Sequence, residues 1–289
     1  MTTGTRHSTP SMRAVLLSQL RAVGFVLRRP PILAVVFATL ATLVVTTISL
    51  STGAIPFHPE RRELFGVLGL LLPIAMWMGE ERFGTGFLWT LPVDRRWHAL
   101  ARVFAGWVWL MGVVSVFVLS LFALTLLSGG SPLDEDALRV LRTNVIDTVS
   151  TPAEPLFWLV PFTAATATYL LASALALGTR HPPAWIAGTA VALSVVVGVG
   201  HEASAAWQAT APGRALLGLF DGPFGFDALL TARTGTLKTE AILPGGEVAV
   251  VWRALPDPGQ WAMATLLWTG AGLVALGLAS SRHRESRRA

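Results

Sequence analysis

MGEERFGTGFLWTLPVDRRWHALARVFAGW, from Met78 to Trp107, packs charge, glycine, proline and tryptophan between two long apolar runs. Flanks of that kind turn a polar stretch into a membrane-surface element that another protein can grip. The reading of the whole chain follows from what surrounds this segment.

A hydrocarbon core about 30 Å thick is crossed by about 20 apolar residues in a helix rising about 1.5 Å per residue. Runs of roughly that kind recur at Pro31–Leu50, Leu64–Met78, Val103–Leu127, Leu156–Gly178, Ala184–Gly200 and Gln260–Ser280. The second is short and contains Pro73. Within lipid every backbone N–H and C=O needs an internal partner, and runs apolar on all sides meet that need as helices rather than as barrel strands. The expected fold is therefore an all-α membrane protein: one transmembrane domain over residues 1–289, with external segments at 51–63, 128–155 and 201–259.

Six spans put both termini on one side, and arginine placement says which. That side carries Arg6, Arg13, Arg21, Arg28, Arg29, Arg82, Arg95, Arg96, Arg102, Arg180, Arg282, Arg284, Arg287 and Arg288, which are 14 of the 22 basic residues. Its acids are Glu80, Glu81, Asp94 and Glu285, giving +10, whereas the opposite side holds 8 basic and 13 acidic residues, giving −5. The positive-inside rule makes both termini cytoplasmic, in a multi-pass protein of the cytoplasmic (inner) membrane. The overall excess of +5 thus needs no nucleic-acid partner. The first apolar run is too long for a signal-peptide core, so it is expected to remain as a span.

Outside the spans, Ser11 to Arg29 sets arginines against Met12, Val15, Leu16, Leu20, Val23 and Leu27 at mostly helical spacing. Two readings fit: a helix lying along the inner surface, or a basic flank that only enforces topology. In Asp134 to Val149, Leu138, Leu141, Val145 and Val149 fall three or four apart, which predicts an amphipathic external helix. Ala205 to Leu230 is apolar but broken by Pro and Gly, as suits short helices dipping into the outer leaflet. Thr236 to Trp252 holds two β-prone runs around Leu243-Pro244-Gly245-Gly246, the pattern of a hairpin.

Several chemistries are excluded or weakened. The apolar runs contain essentially no ionisable residue, which weakens an ion-driven carrier. The one lysine, Lys238, lies between Leu237 and Thr239 and closes no phosphate-binding Gly-Lys-Ser/Thr turn. Glu80-Glu81 invites comparison with intramembrane metalloproteases bearing Glu-Glu-x-x-x-Arg, but Thr85 occupies the arginine position. His7, His58, His98, His181, His201 and His283 form no metal-binding pair, and the chain has no cysteine. No catalytic residue or metal site is expected.

From Glu80 onward come an acidic pair with Arg82, Gly84-Thr85-Gly86, an apolar run from Phe87 to Leu91, and Pro92-Val93-Asp94-Arg95-Arg96. An aromatic and basic stretch then leads into the third span. This resembles the permease subunits of ABC-2 type transporters, with Asp94 standing where that family has a small hydroxyl residue. The resemblance covers specific residues from Glu80 to Arg102 and otherwise the layout of spans and termini. It implies a coupling helix between spans two and three, with Glu80, Glu81, Arg82, Gly84, Thr85, Pro92, Asp94, Arg95 and Arg96 docking on a separate ABC ATPase subunit. It also implies a dimer with a second permease copy or paralogue, and ATP and Mg held by the ATPase, with no cofactor in this chain.

Independently of that resemblance, Pro92 and Asp94 suit a helix start, which would let Arg95, Arg96 and Arg102 face lipid phosphates or a partner's acids. The alternative is that these arginines only set topology and snorkel to head groups. Trp89, Trp97, Trp107 and Trp109 suit an interfacial belt.

Thr163, Thr166, Tyr169 and Ser173 fall on one face of the fourth span, where they could line a transport path or simply bond their own helix and its neighbours. Gly106 and Gly112, with Gly270, Gly272 and Gly277, are expected to permit close helix packing. The expected function is an exporter's permease. The alternatives are a non-transporting mechanotransmitter on the same kind of ATPase and an intramembrane enzyme. No pattern selects a substrate.

Overall fold

The computed structural model describes residues 12–30, 64–77, 95–141, 146–152, 155–179, 210–222, 224–242 and 248–285, with isolated positions between. The expected spans at 31–50 and 184–200 lie almost wholly outside the described residues, and so do Glu80 to Asp94. The described helices are α1 (Met12–Leu27), α2 (Leu64–Trp77), α3 (Arg95–Leu127), α4 (Val160–Gly178), α5 (Ala211–Asp221), α6 (Phe226–Thr231) and α7 (Pro258–Glu285). The strands are β1 (Asp134–Leu141), β2 (Ile146–Pro152), β3 (Arg233–Ile242) and β4 (Val248–Pro256). A single 3₁₀ turn, Pro155–Trp158, leads into α4.

Stretches within α3, α4 and α7 are long and apolar enough to cross a membrane, and α2 is a shorter apolar helix with Pro73 inside it. The helical expectation holds for these elements. At 33 residues α3 is about 50 Å long, well beyond a hydrocarbon core. It starts at Arg95, eight residues before the expected span, so the basic stretch Arg95 to Arg102 is no separate short helix but the first turns of the long one. Nothing in those residues breaks a helix, and Ala99, Leu100 and Ala101 favour one.

α4 lies at the centre, packed most extensively on α2 and α7. Its face is rich in Ala, Thr and Ser, small enough to let neighbouring backbones close in. A Cβ on Gly69 of α2 would overlap Thr168 and the Ala165 carbonyl, and one on Gly272 of α7 would come 2.8 Å from the Leu170 Cβ. Gly272 and Gly106 therefore serve close packing as expected. Gly112, Gly270 and Gly277 face open space, where a side chain would meet nothing within 4 Å. The outer helices turn large apolar side chains outward, among them Val116 and Leu119 on α3 and Leu266, Val274 and Leu278 on α7. Bulky apolar side chains turned outward are compatible with an apolar surrounding, while the interior combines the small residues of α4 with large ones such as Trp77, Phe65 and Phe117.

α6 is wedged against α4 and α7. Its Phe226, Ala228 and Leu229 are buried with Ala167 of α4 and Ala264 of α7, and the Phe226 ring meets Trp268 edge-on at 5.2 Å. Trp268 also donates its indole N–H to the Phe224 carbonyl at 3.2 Å. Ala167 and Ala264 lie within the first half of their helices, about 9–11 Å from the helix starts at about 1.5 Å per residue. A short helix inserted to that depth fits the dipping helices read from Ala205 to Leu230. Ahead of it, α5 is capped by the Thr210 hydroxyl, which accepts from Gly213 N–H at 3.1 Å.

The segment from Asp134 to Val149 departs from the helix expected there: its described residues form β1 and the start of β2. The four strands make one antiparallel sheet in the order β2-β1-β4-β3. The three-and-four spacing of Leu138 and Leu141 suggested a helix, but Ile146, Thr148, Val149 and Thr151 are β-branched, and β4 supplies a partner more than 100 residues away, with Leu138 opposite Trp252. The all-α expectation thus fails outside the spans, where two distant segments complete one another. The hairpin read around Leu243 to Gly246 is present and longer than expected, pairing Ile242 with Val248 and extending to Arg233 and Pro256. One extra residue on β3 between Arg233 and Thr236, a stretch containing Gly235, shifts the register as a bulge does.

Candidate functional site

The segment from Glu80 to Asp94 is joined to the rest of the molecule by the end of α2 and the start of α3, and these two ends are fastened to each other. Met76 and Trp77 are the last described residues of α2. Arg102, two turns into α3, points at them: its Nη2 donates to the Met76 carbonyl at 2.5 Å, and its guanidinium carbon lies 4.9 Å from the Trp77 ring centre. A cation over an indole face is stabilised by the ring quadrupole. Arg102 is only 5% exposed. The option that it faces lipid phosphates or a partner's acids is therefore overturned. Its charge is consumed inside, because a buried carbonyl in an apolar medium needs a donor more than the surface needs another cation.

α4 joins the same junction. The Tyr169 hydroxyl donates to the Val103 carbonyl at 2.7 Å and lies 3.4 Å from the Met76 sulfur. These contacts require Gly106, since a Cβ there would overlap both the Met76 sulfur and the Tyr169 oxygen. One turn towards the α4 start, Thr166 accepts from the Trp107 indole N–H at 3.1 Å and donates to the Phe162 carbonyl at 2.7 Å. Thr163 donates within its own helix to Val160 at 3.0 Å, and Ser173 is fully buried one turn beyond Tyr169. The stripe of Thr163, Thr166, Tyr169 and Ser173 does share a helix face. Its central members tie α4 to α3, which is the second of the two readings its spacing left open.

Of the expected docking residues, Arg95 opens α3 and Arg96 is partly exposed beside the outward-facing Trp97. Glu80, Glu81, Arg82, Gly84, Thr85, Pro92 and Asp94 lie outside the described residues. Of the tryptophans read as a belt, Trp97 is exposed, Trp107 turns inward to Thr166, and Trp109 donates to the Leu20 carbonyl of α1 at 3.0 Å. Trp89 also lies outside the described residues.

The sequence reading gave Met76, Trp77 and Arg102 no joint role. Arg102 is an arginine on the edge of an apolar run and Tyr169 is the only tyrosine in the chain, but their partners lie 26 and 66 residues away. Among the described residues no group of His, Asp or Glu is placed to hold a metal ion. The arrangement is mechanical: three helix backbones fastened by side chains at the base of one polar segment. No protein family, curated protein or solved structure matches the chain.

Proposed function

We propose that this chain is the membrane-spanning permease subunit of an ABC exporter, driven by a separate ATPase that docks on residues 80–102. The sequence pattern from Glu80 to Arg96 supplies the resemblance, and the observation that carries the reading is the clamp at its base. Arg102 ties the end of α2 to the start of α3, and Tyr169 ties α3 to α4. A push on the segment between them would move three helices together, as a rigid-body switch between inward- and outward-facing states requires. The permease would work as a dimer, with the path between two copies and with ATP and Mg on the ATPase.

The test is co-purification with a candidate P-loop ATPase co-expressed with this chain. Arg95→Glu with Arg96→Glu is expected to abolish co-purification while leaving membrane insertion intact. Unchanged co-purification overturns the docking claim.

A second reading, a mechanotransmitter that transports nothing, draws support from the four-stranded sheet. Its strands come from two segments expected outside, and the backbone N–H of Asp257, just after β4, donates to the Ala232 carbonyl at 3.2 Å beside α6. Such a module could pass helix movement to an external protein. Retrieval of a sheet-bound external protein, with no ATP-dependent efflux from proteoliposomes, would favour it over export.

A further inference from the structure

α1 lies on α3 with a groove of about 290 Å³ beside the contact, lined by Leu17, Leu20, Arg21, Gly24, Phe25, Arg28 and Trp109. Positions 17, 21 and 24 of α1, and Arg28 just past its end with its N–H still bonded to the Gly24 carbonyl at 3.2 Å, are spaced by four, three and four, so they stack on one face. Gly24 sets the floor. A Cβ there would come 2.9 Å from the Trp109 ring, so only glycine lets the helix settle onto the indole. The indole N–H is already bonded to the Leu20 carbonyl, which leaves an apolar ring facing the groove.

The walls carry two opposite characters. Arg21 and Arg28 are both exposed, two helical turns apart, and neither pairs with an acid among the described residues. Beside them Phe25 is 71% exposed and Leu17 is 47% exposed. Two cations about 10 Å apart along the helix axis, over an apolar floor next to a membrane-crossing helix, match an anionic head group joined to an acyl chain. Water alone would leave Phe25 and the Trp109 ring uncovered, and a free anion would leave them so too.

We propose that this groove binds one anionic phospholipid of the bilayer, with its phosphate between Arg21 and Arg28 and the start of an acyl chain against Leu17, Phe25 and Trp109. The lipid then completes the seat of α1 on α3, so the anionic content of the membrane sets how firmly α1 is held. This proposal rests on the membrane setting and is independent of any ATPase.

Full-length protein in neutral detergent is titrated with dioleoyl phosphatidylglycerol, dioleoyl phosphatidylcholine or inorganic phosphate, and bound species are counted by native mass spectrometry. Phosphatidylglycerol is expected to bind about 10- to 30-fold tighter than phosphatidylcholine. Arg21→Gln with Arg28→Gln should erase that preference. The charge-matched control, Arg13→Gln with Arg29→Gln, alters two exposed arginines of the same region outside the groove and should keep it. Phe25→Ser, at an exposed position, should weaken both lipids and keep their ratio.

Equal loss in both arginine pairs would mean diffuse attraction and overturn the site. Inorganic phosphate binding as tightly as phosphatidylglycerol would make it a free-anion site and overturn the lipid assignment. No preference in the unaltered protein would overturn both.

Discussion

The two ends of the helix bundle are held by different means. Where α2 ends and α3 begins, the ties are side chain to backbone: Arg102 to the Met76 carbonyl, and Tyr169 to the Val103 carbonyl. Where α4 and α7 begin, the ties are ring packing on α6 and a helix cap, next to a sheet built from backbone ladders. In the first region two buried hydrogen bonds join helices that also share an apolar core containing Met76, Trp77, Val103 and Tyr169, so one substitution removes a distinct tie. In the second the connection is spread over many backbone bonds, so single side chains matter less.

Three substitutions would break or sharpen that contrast. The largest effect is expected from Arg102→Ala, which leaves the Met76 carbonyl without its donor and removes the cation from Trp77. The loss should be about 3 kcal/mol, read as a lower Tm in detergent. Hydrogen exchange should quicken in the last turn of α2 and stay unchanged in the sheet. Equal quickening at both ends would show one cooperative unit and dissolve the contrast.

Gly106→Leu comes next, because its side chain must displace Met76 and Tyr169. A cost of about 2 kcal/mol is expected from overpacking. Gly112→Leu, on the same helix but facing open space, is the control and should leave Tm unchanged. A similar loss in both could not come from helix propensity, which favours leucine over glycine, and would mean that the cost is not specific to the junction.

The smallest effect belongs to the other region. Asp257 caps α7 by accepting from Gln260 N–H at 2.9 Å, with Pro258 in the first turn. Asp257→Ala should cost about 1 kcal/mol, with exchange quickening confined to the first turn of α7. Quickening that reaches α2 would show the regions to be coupled more tightly than their contacts imply.

Particular residues explain what could be read in advance. That α2, α4 and α7 are helices follows from apolar length, and the β3–β4 hairpin from β-prone runs on either side of Leu243 to Gly246, because each signal is local. Asp134 to Val149 misled because a three-and-four spacing of a few Leu and Val fits a helix in isolation, while its true partner, β4, lies beyond α4, α5 and α6. Arg102 misled because an arginine at a membrane boundary faces out by default. Only the location of the Met76 carbonyl turns it inward. The polar stripe on α4 was visible as a stripe, but Trp107 and Val103 had to be in place before it could be seen as a set of ties.

The sequence by itself determined which segments are apolar enough for a membrane, that those among the described residues form helices, and which two runs pair as a hairpin. Those properties depend on neighbours within a few residues and on the solvent. The tertiary structure alone decided that β1 joins β4, that Arg102 is buried, and that Gly106 and Gly272 are needed where Gly112 and Gly270 are not. Each of these depends on atoms brought together from far apart in the chain, and a composition or a spacing carries no record of which distant atoms those are.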